Sequence, residues 1–263
     1  MTIKERIYED YFKSSRLSSY RDILTTAKQN DYHMVGMLEF WKMVQNNEIN
    51  NRRILINRHD IDTSPRVARE MFDIERDVYG REGSASYYFR LSTIDSKLIK
   101  EIESYGYETG YHYEELATLE KTNKLKDAEK LKQIVPQAQE LFCKNLNTFR
   151  DNTGSLSLSV ASHGDFINTR YQVQNHVILQ DEFIRNKMGI QFEAYDSIVN
   201  SPVEKRFADH QLLGRFPNEV IKALNDEVSI VMILTHPRNW KVDFLANTID
   251  NCHRIIQGGL YMI

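Results

Sequence analysis

The sequence is poor in the residues that cross-link or interrupt a chain. Its 263 residues include only 2 cysteines, 5 prolines and 11 glycines. Cys143 and Cys252 are too few for a disulfide framework or a thiolate zinc cluster, so we expect two reduced thiols. Without internal repeats, low-complexity tracts or linkers rich in proline and glycine, the chain is predicted to form a single globular domain.

Long apolar runs and an excess of positive charge are missing as well. No segment approaches the ~18 apolar residues of a transmembrane helix, and the first residues, MTIKER, are charged too early for a signal peptide. The formal net charge of −3 gives no overall positive field for a nucleic-acid backbone. We therefore expect a cytoplasmic protein with no integral membrane segment and no nucleic-acid partner. The sequence leaves the oligomeric state open.

Strand-like and helix-like segments alternate from residue 53 onward. Apolar runs predict strands at residues 54–56, 86–89, 107–112, 156–161 and 228–234, and helical spacing predicts helices at 67–78, 95–105 and 114–143. Such alternation is typical of an α/β fold with a mostly parallel sheet or barrel. Residues 1–50 are predicted to be helical and to pack on the main domain, which spans residues 51–263.

Asp or His residues stand at the ends of four predicted strands. They are Asp60 and Asp62, His112, His163 and His236. Taken singly, an Asp after a strand is more often a turn or capping residue, and a His beside an apolar segment is more often a core residue. The carboxyl ends of parallel strands, however, converge on one face, where reactive groups assemble. Because Asp and neutral His are suitable ligands for zinc and similar ions, the coincidence predicts a metal site.

The spacing of Asp60 and Asp62 also predicts that the two carboxylates act together in one site. Residues i and i+2 of a strand point to the same side, so both carboxylates can reach one pocket, while His59 is expected to face away and pack. Two carboxylates this close repel each other unless a cation or a shared proton lies between them. One can ligate a metal while the other acts as base on a water molecule, as in a metal-dependent hydrolase.

Three segments together resemble the polysaccharide deacetylase superfamily of carbohydrate esterases, of the NodB-homology type. Residues 58–65, RHDIDTSP, resemble the first motif of that family, and residues 110–116, GYHYEEL, resemble the second. Residues 234–237, LTHP, resemble its closing motif. The segments occur in the family's order, and the similarity runs from about residue 54 to residue 240.

The resemblance implies a deformed (β/α) barrel, with residues 51–263 as the catalytic domain, and removal of an N-acetyl or related acyl group from a sugar. By position in the motifs, Asp60 is the expected general base, and Asp62 and His112 are expected metal ligands. His236 is the expected general acid. The expected cofactor is a divalent metal ion, with zinc as the first choice and nickel or cobalt as the alternatives.

One position departs from the family pattern. The second motif usually has another His four residues after the first, and Leu116 stands there in this chain. His163, which follows a strand and precedes a glycine, is the expected third ligand, with a structural or substrate-contacting role as the alternative. Two supporting residues are carried over by position. Arg150 is the expected partner of the catalytic Asp, or else a surface residue, and Asp209 is expected to orient the acid His.

The expected substrate is a carbohydrate. Arg58, Arg90 and Arg238 lie beside the predicted site and could bind an anionic group, as in a nucleotide- or lipid-linked sugar. Without a signal peptide, an intracellular precursor in surface-glycan biosynthesis is favoured over a wall polymer. Aromatic residues near the strand ends either stack on sugar rings or belong to the core; they are Tyr88, Phe89, Tyr111, Tyr113 and Trp240.

Two alternative functions stay open. The first is a deformylase or non-sugar amidase on the same scaffold. The second is a catalytically inactive carbohydrate-binding homologue, which the change at Leu116 motivates and the retained Asp60 and His236 oppose.

Overall fold

A sheet of eight parallel strands organises the chain, which this computed structural model describes from residue 2 to residue 262. The strands are β1 (His33–Val35), β2 (Ile54–Ile61), β3 (Ser86–Phe89), β4 (Glu108–Tyr113), β5 (Ser159–Ser162), β6 (Phe192–Glu193), β7 (Lys205–Ala208) and β8 (Ile230–Thr235). Their order across the sheet is β6-β5-β4-β3-β2-β8-β7, and β1 pairs with the first residues of β2. Parallel pairing is what helical crossovers between successive strands produce.

The segments between the strands are mostly helical. The helices are α1 (Ile3–Tyr11), α2 (Leu17–Gln29), α3 (Met37–Gln45), α4 (Pro65–Tyr79), α5 (Ser96–Ser104), α6 (Glu115–Asn123), α7 (Ala128–Gln133), α8 (Val135–Thr153), α9 (Phe166–Tyr171), α10 (Glu182–Met188), α11 (Ser197–Asn200), α12 (Asp209–Leu212), α13 (Phe216–Asn225) and α14 (Phe244–Met262). Because helices cover the sheet, β2 is buried along its whole length.

The side chains of β2 alternate between two apolar clusters. Leu55 and Ile61 belong to the large cluster that packs under the surrounding helices. Ile54 and Ile56 belong to a smaller cluster on the other side of the strand, into which α3 inserts Phe40. The strand therefore has an outer side facing helices and an inner side facing the interior of the curved sheet.

The predicted α/β fold with a deformed barrel of parallel strands is confirmed. The sheet forms a half-barrel in which β6 and β7 are the end strands, and no hydrogen-bonded ladder joins these two within residues 2–262. The carboxyl ends of β2, β4, β5 and β8 lie at the same end of the half-barrel, because all of these strands are parallel members of one sheet.

Some predictions of secondary structure are wrong in detail. Residues 1–50 are not wholly helical, because β1 lies among them and pairs with β2. The helix predicted at residues 114–143 is divided among α6, α7 and α8, and between α6 and α7 Lys124 and Lys126 adopt the left-handed backbone conformation at φ 49° and 53°. Strand β6 has only two residues, which is too short for a strand pattern, and β7 begins with the exposed Lys205 and Arg206, so it has no apolar run to predict it.

The N-terminal segment packs on the rest of the chain. Helix α2 contacts α4 and α13, and β1 extends the sheet beside β2. The division of the chain at residue 50 stays a prediction. Within residues 2–262, no helix has the length and apolar character needed to span a membrane.

Candidate metal centre and active site

Strand β2 presents three charged side chains to the inner end of the half-barrel. Arg58 and Asp60 lie on its inner side, and Asp62 follows one residue after the strand ends at Ile61. His59 points to the outer side, where it is fully buried and hydrogen-bonded to Glu75 and Thr235. The expectation that His59 faces away from the site is confirmed. The alternation of a strand thus separates the reactive residues from the packing residue between them.

Asp62, His112 and His163 come together at the ends of β2, β4 and β5. The Oδ1 atom of Asp62 lies 3.3 Å from Nε2 of His112 and 3.4 Å from Nε2 of His163. Zinc takes such ligands at 2.0–2.1 Å, so two ligand atoms at a tetrahedral angle are about 3.3 Å apart. Among the residues described, none forms a hydrogen bond with the buried Oδ1 atom of Asp62. The two distances, and the spacing of all three ligand atoms within 4.8 Å of one another, fit a set of three protein ligands for one metal ion.

The hydrogen bonds behind the two histidines hold their rings in the orientation that metal binding needs. Nδ1 of His112 lies 2.9 Å from the carbonyl oxygen of Ala161, and Nδ1 of His163 lies 3.0 Å from Oε2 of Glu114. When Nδ1 donates to these oxygens, Nε2 carries the free lone pair. Glu114 is fixed in turn by an ion pair with Arg90. His163 thus has the carboxylate partner that is usual behind a metal-binding His.

The charges around His163 favour a cation at this place. Burial alone would lower the pKa of His163, but the carboxylates of Asp62 and Glu114 outweigh it and raise that pKa to about 10. Burial likewise raises the pKa of Asp62, whereas His163 and His112 hold it well below its usual range. A pocket that stabilises a proton on a buried imidazole so strongly also stabilises a metal ion.

Two further groups of Asp, Glu and His side chains have closely spaced ligand atoms. One joins Glu114 and Asp165 to His163, and the other joins Asp209, His210 and His236. In the second group, both oxygens of Asp209 already accept hydrogen bonds. The first group contains the carboxylate that supports His163 from behind. Of the three groups, the one built on Asp62 has ligand atoms that are least engaged in other hydrogen bonds, so it is the best candidate to bind a metal ion.

Asp60 is held by Arg58, its neighbour on the same strand face. Nε of Arg58 donates to Oδ1 and its terminal nitrogen donates to Oδ2, both at 2.8 Å, and both residues are buried. Burial raises the pKa of Asp60, but the charge of Arg58, with smaller effects of His112 and His236, brings it below the usual value. The carboxylate is therefore ionised at neutral pH and can accept a proton.

The prediction that Arg150 pairs with the catalytic Asp is wrong. Arg150 lies on α8 and donates to the backbone carbonyls of Leu156, Ser157 and Met188. A guanidinium can donate to several carbonyl oxygens at once. Arg150 therefore links the end of α8 to the loop before β5 and to the end of α10. Arg58 occupies the place expected for Arg150 beside Asp60.

His236 and Asp209 are joined as expected from the sequence. Nδ1 of His236 lies 2.7 Å from Oδ1 of Asp209, and the backbone N–H of His236 donates to Oδ2 at 2.7 Å. Trp240 also donates to Oδ2, at 3.1 Å. Burial lowers the pKa of His236, but Asp209, with Asp62 and Asp60 at longer range, raises it to about 9. His236 is therefore protonated at neutral pH and can act as an acid.

The arginines expected to bind an anionic group already have carboxylate partners. Arg58 is paired with Asp60, and Arg90 with Glu114. Arg238 donates to Asp10 and Asp250. None of the three is therefore left as an unpaired positive charge beside the site, and a nucleotide- or lipid-linked substrate stays a prediction.

The aromatic residues considered as sugar-stacking groups belong to the core. The exposed fraction is at most 3% for Tyr88, Phe89, Tyr111, Tyr113 and Trp240. Tyr195, just after β6, is instead 47% exposed, and its ring centre lies 4.9 Å from the guanidinium carbon of Arg58. The backbone N–H of Tyr195 donates a hydrogen bond to Oε2 of Glu193 at 2.6 Å. An exposed aromatic ring therefore borders the Arg58–Asp60 pair.

Three residues contact the candidate site in ways that the sequence does not predict. Arg58, expected from the sequence to bind an anionic group, pairs with Asp60, and the i, i+2 spacing of the two residues places them on one strand face. No sequence pattern indicates the contacts of Glu114 with His163 or of Tyr195 with Arg58, because each contact joins strands that are distant in sequence.

Comparison with known proteins identifies no family for this chain. No protein-family model and no curated protein matches the chain. Two solved structures of the peptidoglycan deacetylase PdaC from Bacillus subtilis, one of them a mutant, are similar to it with TM-scores of 0.31 and identities of 11% and 10%. They cover 79–80% of this chain and 98% of their own. Identities and TM-scores this low say nothing about chemistry, which has to be argued from the site.

Proposed function

We propose that the protein is a metal-dependent hydrolase that removes an N-acetyl or related acyl group from an amino sugar. One observation carries the proposal. A three-residue ligand set, Asp62, His112 and His163, lies beside an ionised carboxylate, Asp60, and a protonated imidazole, His236. Hydrolysis of an amide requires a base for water and an acid for the leaving nitrogen, and this site supplies both.

Each residue has a separate part in the proposed reaction. Asp62, His112 and His163 hold the metal, which when bound polarises the acyl carbonyl and lowers the pKa of water at the open position. Asp60, fixed in direction by Arg58, takes a proton from the attacking water. His236, held by Asp209, gives a proton to the sugar nitrogen, since an unprotonated amine anion is too poor a leaving group.

The character of the substrate is proposed from the side chains around the site. Because Arg58, Arg90 and Arg238 are paired with carboxylates, we favour an uncharged acylated amino sugar at the reacting position. Tyr195 offers an exposed aromatic ring on which one face of a sugar can pack. An intracellular precursor of a surface glycan stays the expected source of such a sugar.

Release of acetate from defined N-acetylglucosamine oligomers tests the proposal. We expect turnover by the metal-loaded protein and a loss of about 10²–10⁴-fold in kcat for Asp60→Asn, with metal content unchanged. Asp77→Asn, the same substitution at an exposed position of α4 where the carboxylate pairs with Arg21, is the matched control and retains most activity.

The same assay separates the alternatives. Activity on N-formyl but not on N-acetyl sugars would identify a deformylase. Metal-loaded protein that binds the oligomers without releasing acetate or formate would identify a binding module and contradict the proposed hydrolysis.

A further inference from the structure

The acid His lies in a short loop that also binds its carboxylate partner. We call residues 236–241, which follow β8, the acid loop. The backbone N–H of His236 donates to Oδ2 of Asp209 at 2.7 Å, and Nε1 of Trp240 donates to the same oxygen at 3.1 Å. The other oxygen, Oδ1, lies 2.7 Å from Nδ1 of His236. The path of the acid loop therefore sets the position of both members of the acid pair.

The linker between α1 and α2 binds the main chain of the acid loop. Nζ of Lys13 donates to the carbonyl oxygen of Arg238 at 2.6 Å. The backbone N–H of Arg16 donates to the carbonyl oxygen of Trp240 at 2.7 Å. Because both acceptors are backbone groups, these bonds fix the course of the loop and not only the direction of one side chain.

Lys13 is far more buried than most lysines. Its side chain is only 2% exposed, and the carboxylate of Glu9 lies 3.4 Å from its Nζ atom. Removing an ammonium group from water is costly unless hydrogen-bond acceptors replace the water. The carbonyl of Arg238 is one of those acceptors, so the contact between the linker and the acid loop is a specific part of the fold.

The indole of Trp240 is held between two other rings. Its ring centre lies 5.2 Å from that of Tyr20 on α2 and 5.6 Å from that of Phe216 on α13, both in edge-to-face geometry. Trp240 is only 2% exposed. A ring packed on two sides has little freedom to turn, so its N–H stays directed at Asp209.

We propose that Lys13 and Trp240 are positioning residues for the acid: the linker holds the acid loop through Lys13, and the loop holds Asp209 through Trp240. This role rests on the proposed function, in which His236 gives a proton to the leaving nitrogen. A misplacement of about 1 Å at a reacting group can lower a rate by about 100-fold. A reaction that needs the acid will therefore depend on Lys13, whereas one whose leaving group departs without a proton will not.

Two substrates with different leaving groups separate positioning of the acid from a general loss of structure. Release of acetate from an N-acetyl amino sugar needs a proton for the amine, whereas 4-nitrophenyl acetate releases a stable phenolate without one. For Lys13→Met we expect kcat on the amino sugar to fall about 10–100-fold, with KM, and kcat on the ester, changed less than about threefold. Lys28→Met is the matched control, because Lys28 also donates to a backbone carbonyl, that of Val78, but at an exposed position of α2.

A second variant tests the link from the loop to the carboxylate. Trp240→Phe keeps an aromatic ring between its neighbours and removes the N–H that donates to Asp209. We expect the same selective loss, about 10-fold in kcat on the amino sugar and less than about threefold on the ester. Trp41→Phe, the same substitution on α3, where the indole stacks on Phe192, should leave both activities unchanged.

Tryptophan fluorescence gives a measurement that needs no turnover. The chain has two tryptophans, so in a Trp41→Phe background the emission comes from Trp240 in the acid loop. The buried indole should be shielded from acrylamide. Lys13→Met should raise its quenching constant at least about threefold by loosening the loop, and Lys28→Met should not.

The outcomes distinguish the positioning role from the proposed function. Equal losses on the two substrates in either Lys13→Met or Trp240→Phe contradict the positioning role, and so do kinetics or quenching of Lys13→Met that match those of Lys28→Met. A wild type that releases acetate from neither substrate contradicts the proposed function. In that case the quenching measurement still decides whether Lys13 holds the acid loop.

Discussion

Arg58 and Asp60 form a two-point ion pair within one strand, with both hydrogen bonds at 2.8 Å. The two residues are i and i+2, so the pair is set by the geometry of β2 and needs no contact from another element. The guanidinium matches the planar carboxylate and fixes its direction as well as its charge. The proposed base is therefore oriented by its own strand.

Replacing Arg58 should change the pH dependence of the reaction. Arg58 lowers the pKa of Asp60, so Arg58→Gln should raise that pKa, and the base will lose its charge at higher pH. We expect the acidic limb of the kcat/KM profile to move up by about 1–3 pH units. Arg150→Gln is the matched control, because it removes only bonds to backbone carbonyls and should leave the limb in place.

Loss of Asp209 should move the other limb of the profile. Asp209 is the main cause of the raised pKa of His236, and the acid form exists only below that pKa. In Asp209→Asn the pKa of His236 should fall, so activity will decline at lower pH than in the wild type. A pH profile whose basic limb is the same in both proteins would show that His236 is not the acid.

Glu114 should influence metal affinity although it is not one of the three ligands. Its carboxylate accepts from Nδ1 of His163 and favours the form of the ring that binds metal through Nε2. Glu114→Gln is expected to weaken zinc binding about 10–100-fold in competition with a chelating dye. Glu129→Gln, on the exposed side of α7, should leave the affinity unchanged. Equal affinities in the two variants would argue against His163 as a ligand.

The buried carboxylate of Glu75 should matter for stability and not for metal binding. Glu75 accepts hydrogen bonds from Tyr87 at 2.6 Å and from Asn57 at 2.9 Å, and it lies 2.7 Å from Nε2 of His59. Glu75→Ala leaves the buried hydroxyl of Tyr87 without its acceptor and removes one hydrogen-bond partner each from Asn57 and His59, so the free energy of unfolding in urea should fall by about 3–5 kcal/mol. Glu82→Ala, at an exposed position, should change the free energy of unfolding by less than about 0.5 kcal/mol. Similar midpoints for both variants would contradict this account of the network.

The positions of the site residues were predictable because parallel strands end at one edge. Asp62, His112, His163 and His236 each stand at or just after the end of a strand, and a strand end can be recognised from a short apolar run. The spacing of Asp60 and Asp62 also placed them on one side of β2. These inferences needed only local pattern and the general geometry of α/β folds.

Other features depend on contacts between segments that are distant in sequence. Strand β6 has two residues, Phe192–Glu193, and exists because Ser159 and Val160 of β5 provide its ladder. The pairing of Arg90 with Glu114 joins two loops and left no local signal. The contacts of Arg150 with Leu156 and Met188 likewise depend on how α8 packs, whereas the pairing of Arg58 with Asp60 follows from the alternation of side chains along one strand.

The central claim is that Asp62, His112 and His163 hold one metal ion, and His163 is the ligand for which the motif gave no direct match. Metal content per chain, measured by mass spectrometry after growth with zinc, tests this directly. We predict about one ion per wild-type chain and near-complete loss in Asp62→Ala and His163→Ala. His176→Ala, which removes a His outside the ligand set, should retain the ion. A wild type without bound metal, or full occupancy in His163→Ala, would contradict the account.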